Sequence, residues 1–174
     1  MAKSLQIAGM ERWPDYRRGS LTISQILTSQ ADSCSFAVKG AKPLEGSEVI
    51  IEDSSLTEPR LFAGIIDRVE LVNFKAPLVW KVDCQDYTLQ MDKKLVVETY
   101  LGLSADAIVR DILLKYCPGF SAQGVASGAP VIESTGTEFN YKMPSECMKW
   151  LCDYIGWQWY VDYYKVVHFF DPAQ

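Results

Sequence analysis

The sequence predicts an α+β fold: a small antiparallel β-barrel-like domain over residues 1–90, then an α+β domain over residues 91–174 with two helices and a C-terminal hairpin. Three observations predict it. Leu78 to Gln85 alternates, with Leu78, Trp80, Val82 and Cys84 facing one way and Val79, Lys81, Asp83 and Gln85 the other, and a period of two marks a half-buried strand. Ala105, Ile108, Val109, Ile112, Leu113 and Tyr116 recur at threes and fours, the spacing of an amphipathic helix. After Gly156 alternation resumes, with Trp157, Trp159 and Val161 against Gln158, Tyr160 and Asp162, and a second apolar run from Val166 to Phe170 closes a hairpin through Tyr163-Tyr164-Lys165.

Taken in order, Leu5 to Gly19 reads as an irregular loop pinned by aromatic residues, because Pro14 lacks an amide donor and restricts Trp13 before it. Leu21, Ile23 and Gln25 alternate as a first full strand. Cys34, Phe36 and Val38 form the next, with Ala31-Asp32 in the turn between. Lys39 to Gly46 breaks the sheet, Val49 to Ile51 resumes it, and Glu52 to Pro59 is a polar connection rich in turn formers. Arg60 to Val72 is a long apolar-rich strand. Gly64 sits inside it where a β-carbon would be unremarkable, which predicts a bulge or sharp coil that bends the strand. Asn73 to Pro77 is short enough for a hairpin loop. Five strands by Gln85, one of them bent, suit a small barrel.

The succession Gly46-Ser-Glu-Val-Ile-Ile, Arg60-Leu-Phe-Ala-Gly-Ile-Ile and Val82-Asp-Cys-Gln-Asp-Tyr-Thr resembles the first domain of phage baseplate-hub and tail-associated proteins. Those proteins join the tail tube to the tip, and type VI secretion spike proteins share their fold. The resemblance extends over nearly the whole chain, since the family's second, mixed domain continues from Leu95 to Phe170. It implies a structural, non-enzymatic module that assembles as a homotrimer and contacts other tail or baseplate proteins. It also implies a place in the virion tail after synthesis in the host bacterial cytoplasm. Asp86 matches the family's aspartate at the end of its strand, where a carboxylate accepts amide hydrogen bonds in a turn. Family barrels are completed by strands that follow the mixed domain, so with its last residues Asp171-Pro-Ala-Gln this chain is expected to be a truncated or short member.

In the second half, Ser104 is placed to cap the first helix, Asp106 lies in its first turn and Lys115 in its last, each matching the helix dipole. Cys117-Pro118-Gly119 stops it. Phe120 to Gly136 is rich in Gly, Ser and Ala, with Pro130 to Glu133 and Phe139 to Met143 as short strands. A second helix starts at Pro144 or Ser145, places Met148, Leu151 and Ile155 on one face with Cys147 and Cys152 beside it, and ends at a left-handed Gly156. Strand alternation gives way to helical spacing between Asp86 and Leu95, which places the domain boundary there.

Composition excludes several function classes. A net charge of −5, with no basic run longer than a pair such as Arg17-Arg18, argues against nucleic acid as a partner. The N-terminus lacks an apolar segment of signal-peptide length, and no run of about 18 apolar residues predicts a membrane span. Five cysteines at irregular spacing read as buried hydrophobes in a reducing compartment, not as a disulfide framework. Cys147 and Cys152 are spaced wrongly for one helical face and for a zinc knuckle, so no metal and no cofactor is expected. His168, in an apolar strand, would need a carboxylate such as Asp162 for acid–base work, and its simpler reading is a packed strand histidine with one hydrogen bond. Asp83 and Asp86 point to opposite strand faces and make no glycosidase pair. No catalytic residue is assigned.

The aromatic cluster Trp150, Trp157, Trp159, Tyr160, Tyr163 and Tyr164 stands outside these accounts. Alternation assigns Trp157 and Trp159 to the core and leaves Tyr160, Tyr163 and Tyr164 nearer solvent. Those three are the expected subunit interface, since tyrosine and tryptophan dominate interface hot spots. The alternative function is a carbohydrate-binding or cell-wall-degrading tail protein, with the same tyrosines stacking on sugars.

Overall fold

The computed structural model of the chain describes residues 3–25, 31–132 and 136–174. The fold is α+β, and the chain divides into two compact units between Tyr87 and Thr88.

The first unit contains β1 (Lys3–Ile7), β2 (Met10–Glu11), β3 (Thr22–Ser24), β4 (Ser33–Lys39), β5 (Glu48–Asp53), β6 (Arg60–Asn73) and β7 (Val79–Asp86). They form one antiparallel sheet in the order β2-β1-β5-β6-β7-β4-β3. Alternate residues enter the core: Leu5 and Ile7 from β1, Phe36 and Val38 from β4, Val49 and Ile51 from β5. Among the described residues the sheet is open, since no ladder joins β2 to β3 and no closed barrel forms. Both edge strands are short, which limits the row of unpaired amides that an open sheet presents.

Three sequence expectations change here. The stretch from Leu5 onward is not a loop throughout, because β1 pairs along its length with β5, Leu5 opposite Ile51 and Ile7 opposite Val49. Two alternating apolar residues are too few to show a period, and the ladder supplies what the local pattern lacks. The loop after β2 does hold the aromatic clamp, a single 3-10 turn over Trp13–Asp15 whose Trp13 ring stacks on Tyr16 at 4.8 Å.

The second change concerns β7. Val82 and Cys84 are buried as expected, but at the start of the strand Val79 is buried as well, while Leu78 is exposed and Trp80 is half-buried. Opposite this point β6 carries one extra residue, Val72, and such a bulge adds twist. The Trp80 indole instead donates to the Gly40 carbonyl at 2.9 Å and covers the turn after β4.

The third change concerns Gly64, which is a point of close approach and not itself the bulge. It pairs with Val49 on one side and Asp86 on the other, and the register shifts fall on either side of it, at Leu61 and at Asp67.

The second unit contains α1 (Thr88–Met91), β8 (Val96–Tyr100), α2 (Ala105–Tyr116), β9 (Ser121–Val125), β10 (Thr137–Lys142), α3 (Pro144–Ile155), β11 (Gln158–Val161) and β12 (Val166–Phe170). β10 pairs antiparallel with β8; β11, β12 and β9 make a second sheet in which β12 runs parallel to β9. α2 buries Ala105, Ile108, Val109, Ile112 and Leu113, the face its spacing predicts. Ser104 stands at its N-cap position, but its side chain makes no capping bond; the Ala105 amide is satisfied by the Pro130 carbonyl at 3.0 Å.

α3 starts at Pro144, and Glu146 reaches back to accept the Met143 amide at 3.0 Å. Its first turn is tied to the segment after α1, because Asp92 accepts the Ser145 hydroxyl at 2.6 Å and the Ser145 amide at 3.0 Å. Gly156 ends it at φ 78°, the left-handed position that a glycine tolerates without strain. The one-turn α1 and strands β8 and β9 are additions to the expected elements. The segment predicted as a strand from Pro130 makes one bridge, Val131 to Ser104, and its Glu133 lies outside the described residues.

Candidate assembly surface

The C-terminal hairpin carries the three tyrosines proposed as an interface. Tyr160 faces His168 across the β11–β12 ladder, and their rings stack at 4.5 Å and 6°. Phe170 meets Tyr160 edge-on at 6.0 Å. Tyr160 is 42% exposed and Tyr164 52%, while Tyr163 is half-buried in the turn. Burial and the nearby Asp162 carboxylate raise the Tyr160 phenol above its ordinary range.

Asp162 shapes the turn. Its Oδ1 accepts the Tyr164 amide at 2.8 Å and the Val166 amide at 2.9 Å, and its Oδ2 lies 3.1 Å from His168 Nε2. Lys165 takes a positive φ of 61° to close the reversal. On the other side of the histidine a β-carbon on Gly124 would lie 2.7 Å from Nδ1, so β9 can run beside β12 here only as glycine. One ring nitrogen of His168 is engaged by Asp162 and the other lies against the Gly124 backbone. The carboxylate that acid–base chemistry would require is present, and the arrangement holds it as a hairpin brace.

Trp159 is buried as expected, and Trp157 is half-buried against Phe169 at 5.1 Å. Trp150 behaves differently. It is 41% exposed and stacks on Tyr154, 47% exposed, at 5.3 Å and 15°, while Phe139 of β10 meets it edge-on at 5.7 Å. These rings line a groove of about 380 Å³ between β10 and α3, whose walls also carry Glu138, Lys142 and Glu146. The i, i+4 stripe Glu146, Trp150, Tyr154 is the sequence signal for this face. Tyr154 is absent from the interface predicted on the sequence.

Asp86, at the end of β7, is buried. Its carboxylate accepts the Asp32 amide at 2.9 Å, and its own amide donates to the Asp32 carbonyl at 3.0 Å. All five cysteines are free and buried. Burial pushes the thiols of Cys34, Cys117, Cys147 and Cys152 up to about 12, and raises Cys84 as well. Among the described residues no group of three or more His, Cys, Asp or Glu side chains is arranged to hold a metal, and no helix is long and apolar enough to cross a membrane.

No protein-family model matches the chain, and no curated protein matches it in sequence. Its fold does match solved tail proteins. The 43 kDa tail protein of prophage MuSo2 from Shewanella oneidensis superposes with a TM-score of 0.73 at 10% identity, over 96% of this chain and 52% of that one. A tail protein from Neisseria meningitidis MC58 gives 0.71 at 13% identity, over 97% and 50%. The E. coli c3393 protein, described as a type VI secretion component structurally similar to the T4 tail proteins gp27 and gp5, gives 0.65 at 13% identity, over 96% and 48%. The chain therefore has the fold of these proteins and spans about half of their length.

Proposed function

We propose that the chain is a structural part of a phage or prophage tail, acting at the baseplate hub where the tube meets the tip. The observation that carries this reading is the superposition of 96% of the chain, both units in succession, on a prophage tail protein. Residues 1–90 serve as the hub domain and residues 91–174 as the α+β domain that follows it in the chain. Function lies in assembly: the protein forms a homotrimer, contacts other tail proteins and resides in the virion tail after synthesis in the host cytoplasm. The β3 edge and the exposed tyrosines of the hairpin support this, since unpaired strand amides and large rings both gain from burial by a neighbour. It acts without catalysis, in keeping with a histidine whose two nitrogens face Asp162 and Gly124.

Interrupting the coding sequence and imaging the resulting particles tests the reading. Tails without a tip, or no tails, restored by the intact gene, are expected. Normal, infective tails would refute it.

A further inference from the structure

The groove between β10 and α3 is not used by the assembly surface described above. Aromatic rings line it: Trp150 and Tyr154 stack on each other, so both lose little side-chain freedom when a ligand settles beside them, and Phe139 meets Trp150 edge-on. Its walls are polar. The Glu138 side chain makes no ion pair or hydrogen bond among the described residues, Glu146 is held in place by the Met143 amide, and Lys142 adds a donor to the lining. The volume of about 380 Å³ falls within the roughly 300–1,000 Å³ of small-molecule sites.

A purely apolar partner would leave these carboxylates desolvated without a partner, which is unfavourable. A phosphorylated or acidic ligand would meet two carboxylates against one lysine. An oligosaccharide presents what both surfaces need. The C–H face of a pyranose ring is apolar and faintly positive, complementary to the negative face of an aromatic ring. Its equatorial hydroxyls or amines donate to carboxylates, and charge-assisted bonds of that kind are the stronger ones.

We infer that this groove binds a short oligosaccharide of neutral or amino-substituted hexoses, with Trp150 and Tyr154 as the stacking platform, Glu138 and Glu146 as acceptors and Lys142 as donor. The site lies on different residues from the tyrosine surface and does not depend on the tail reading; it would serve any protein that meets a polysaccharide.

The test is an NMR titration of the 174-residue chain with chitotetraose, its deacetylated form and cellotetraose, with an oligogalacturonate as the acidic control. Shifts centred on Phe139, Trp150 and Tyr154 are expected with at least one of the first three sugars at millimolar concentration or below, and weaker ones with the acid. Trp150→Ala should lower affinity by about tenfold or more. Glu138→Lys, a change at an exposed position, should weaken the deacetylated sugar most, and it keeps the test valid if Trp150→Ala fails to fold. No shift with any of the first three sugars, equal binding of the acid, or binding indifferent to both substitutions would overturn the proposal. Shifts in these residues caused only by another tail protein would overturn it too, marking the groove as a protein interface.

Discussion

A β-carbon placed on Gly64 would lie 2.1 Å from the carbonyl oxygen of Gln85 and 2.8 Å from the Asp86 Cα. Neighbouring strands approach closely enough here that only glycine fits, and the obstacle is backbone, which has no rotamer with which to yield. Because Gly64 also pairs with Val49, a shift of β6 away from β7 is felt in β5.

Gly64→Val should therefore destabilise the first unit by something like 1–3 kcal/mol, the range for overpacking a packed interior. The check is the midpoint of denaturant or thermal unfolding; an unchanged midpoint would mean the strands separate there at little cost.

Asp162 bonds two amides of the hairpin turn and the His168 ring. Asp162→Ala should lower stability by about 1–3 kcal/mol, since the turn amides lose their carboxyl acceptor. Amide exchange at Tyr164 and Val166 should accelerate, and unchanged exchange there would remove Asp162 as the organiser of the turn.

Asp53 gives a pH dependence. The Ser55 hydroxyl and amide, then Lys3, hold its carboxyl below the ordinary range. A carboxyl depressed in the folded state stabilises above its unfolded pKa, and that contribution is lost as pH falls through the folded value. Stability should decline with acid below about pH 4, and Asp53→Asn should flatten part of that decline. A variant with the wild-type acid profile would contradict the linkage.

The buried thiols should be inert. With their pKa values pushed upward, native protein at neutral pH should react slowly with a disulfide reagent, and denatured protein should titrate five thiols. Chelator should leave the melting curve unchanged. A promptly reacting thiol, or melting shifted by chelator, would show an exposed or metal-bound cysteine.

The sequence made some of this legible and not the rest, for physical reasons. α2 and α3 each span three turns with apolar residues at regular spacing, so their boundaries and buried faces follow from local pattern alone. β9, with the sequence Ser-Ala-Gln-Gly-Val, has almost no strand character of its own and exists because β12 pairs with it beside a residue that must be glycine. β1 depends in the same way on β5. The burial of Val79 beside a half-buried Trp80 departs from the alternation at the end of the strand, where neighbouring elements and not the period decide exposure. Tyr160 and Tyr164 were readable as exposed from alternation and turn position. The Trp150–Tyr154 groove was not, because it forms only where α3 folds back along β10, the strand just before it, and no spacing in the sequence states that angle.

For the interface, Tyr163→Ser with Tyr164→Ser in the gene as it is expressed with the other tail genes should weaken oligomerisation or tail incorporation while leaving the 174-residue chain folded. Light scattering and a tail-assembly assay measure this, and intact assembly with normal infectivity would exclude the turn as the contact.

The most direct measurement of the central claim is the location of the chain in purified particles. Antibodies raised against the 174-residue chain, gold-labelled and imaged on intact tails by electron microscopy, should mark the baseplate end, and the protein should be found by mass spectrometry in those same particles. Particles that lack the protein, or gold distributed without regard to the tail end, would contradict a role at the hub.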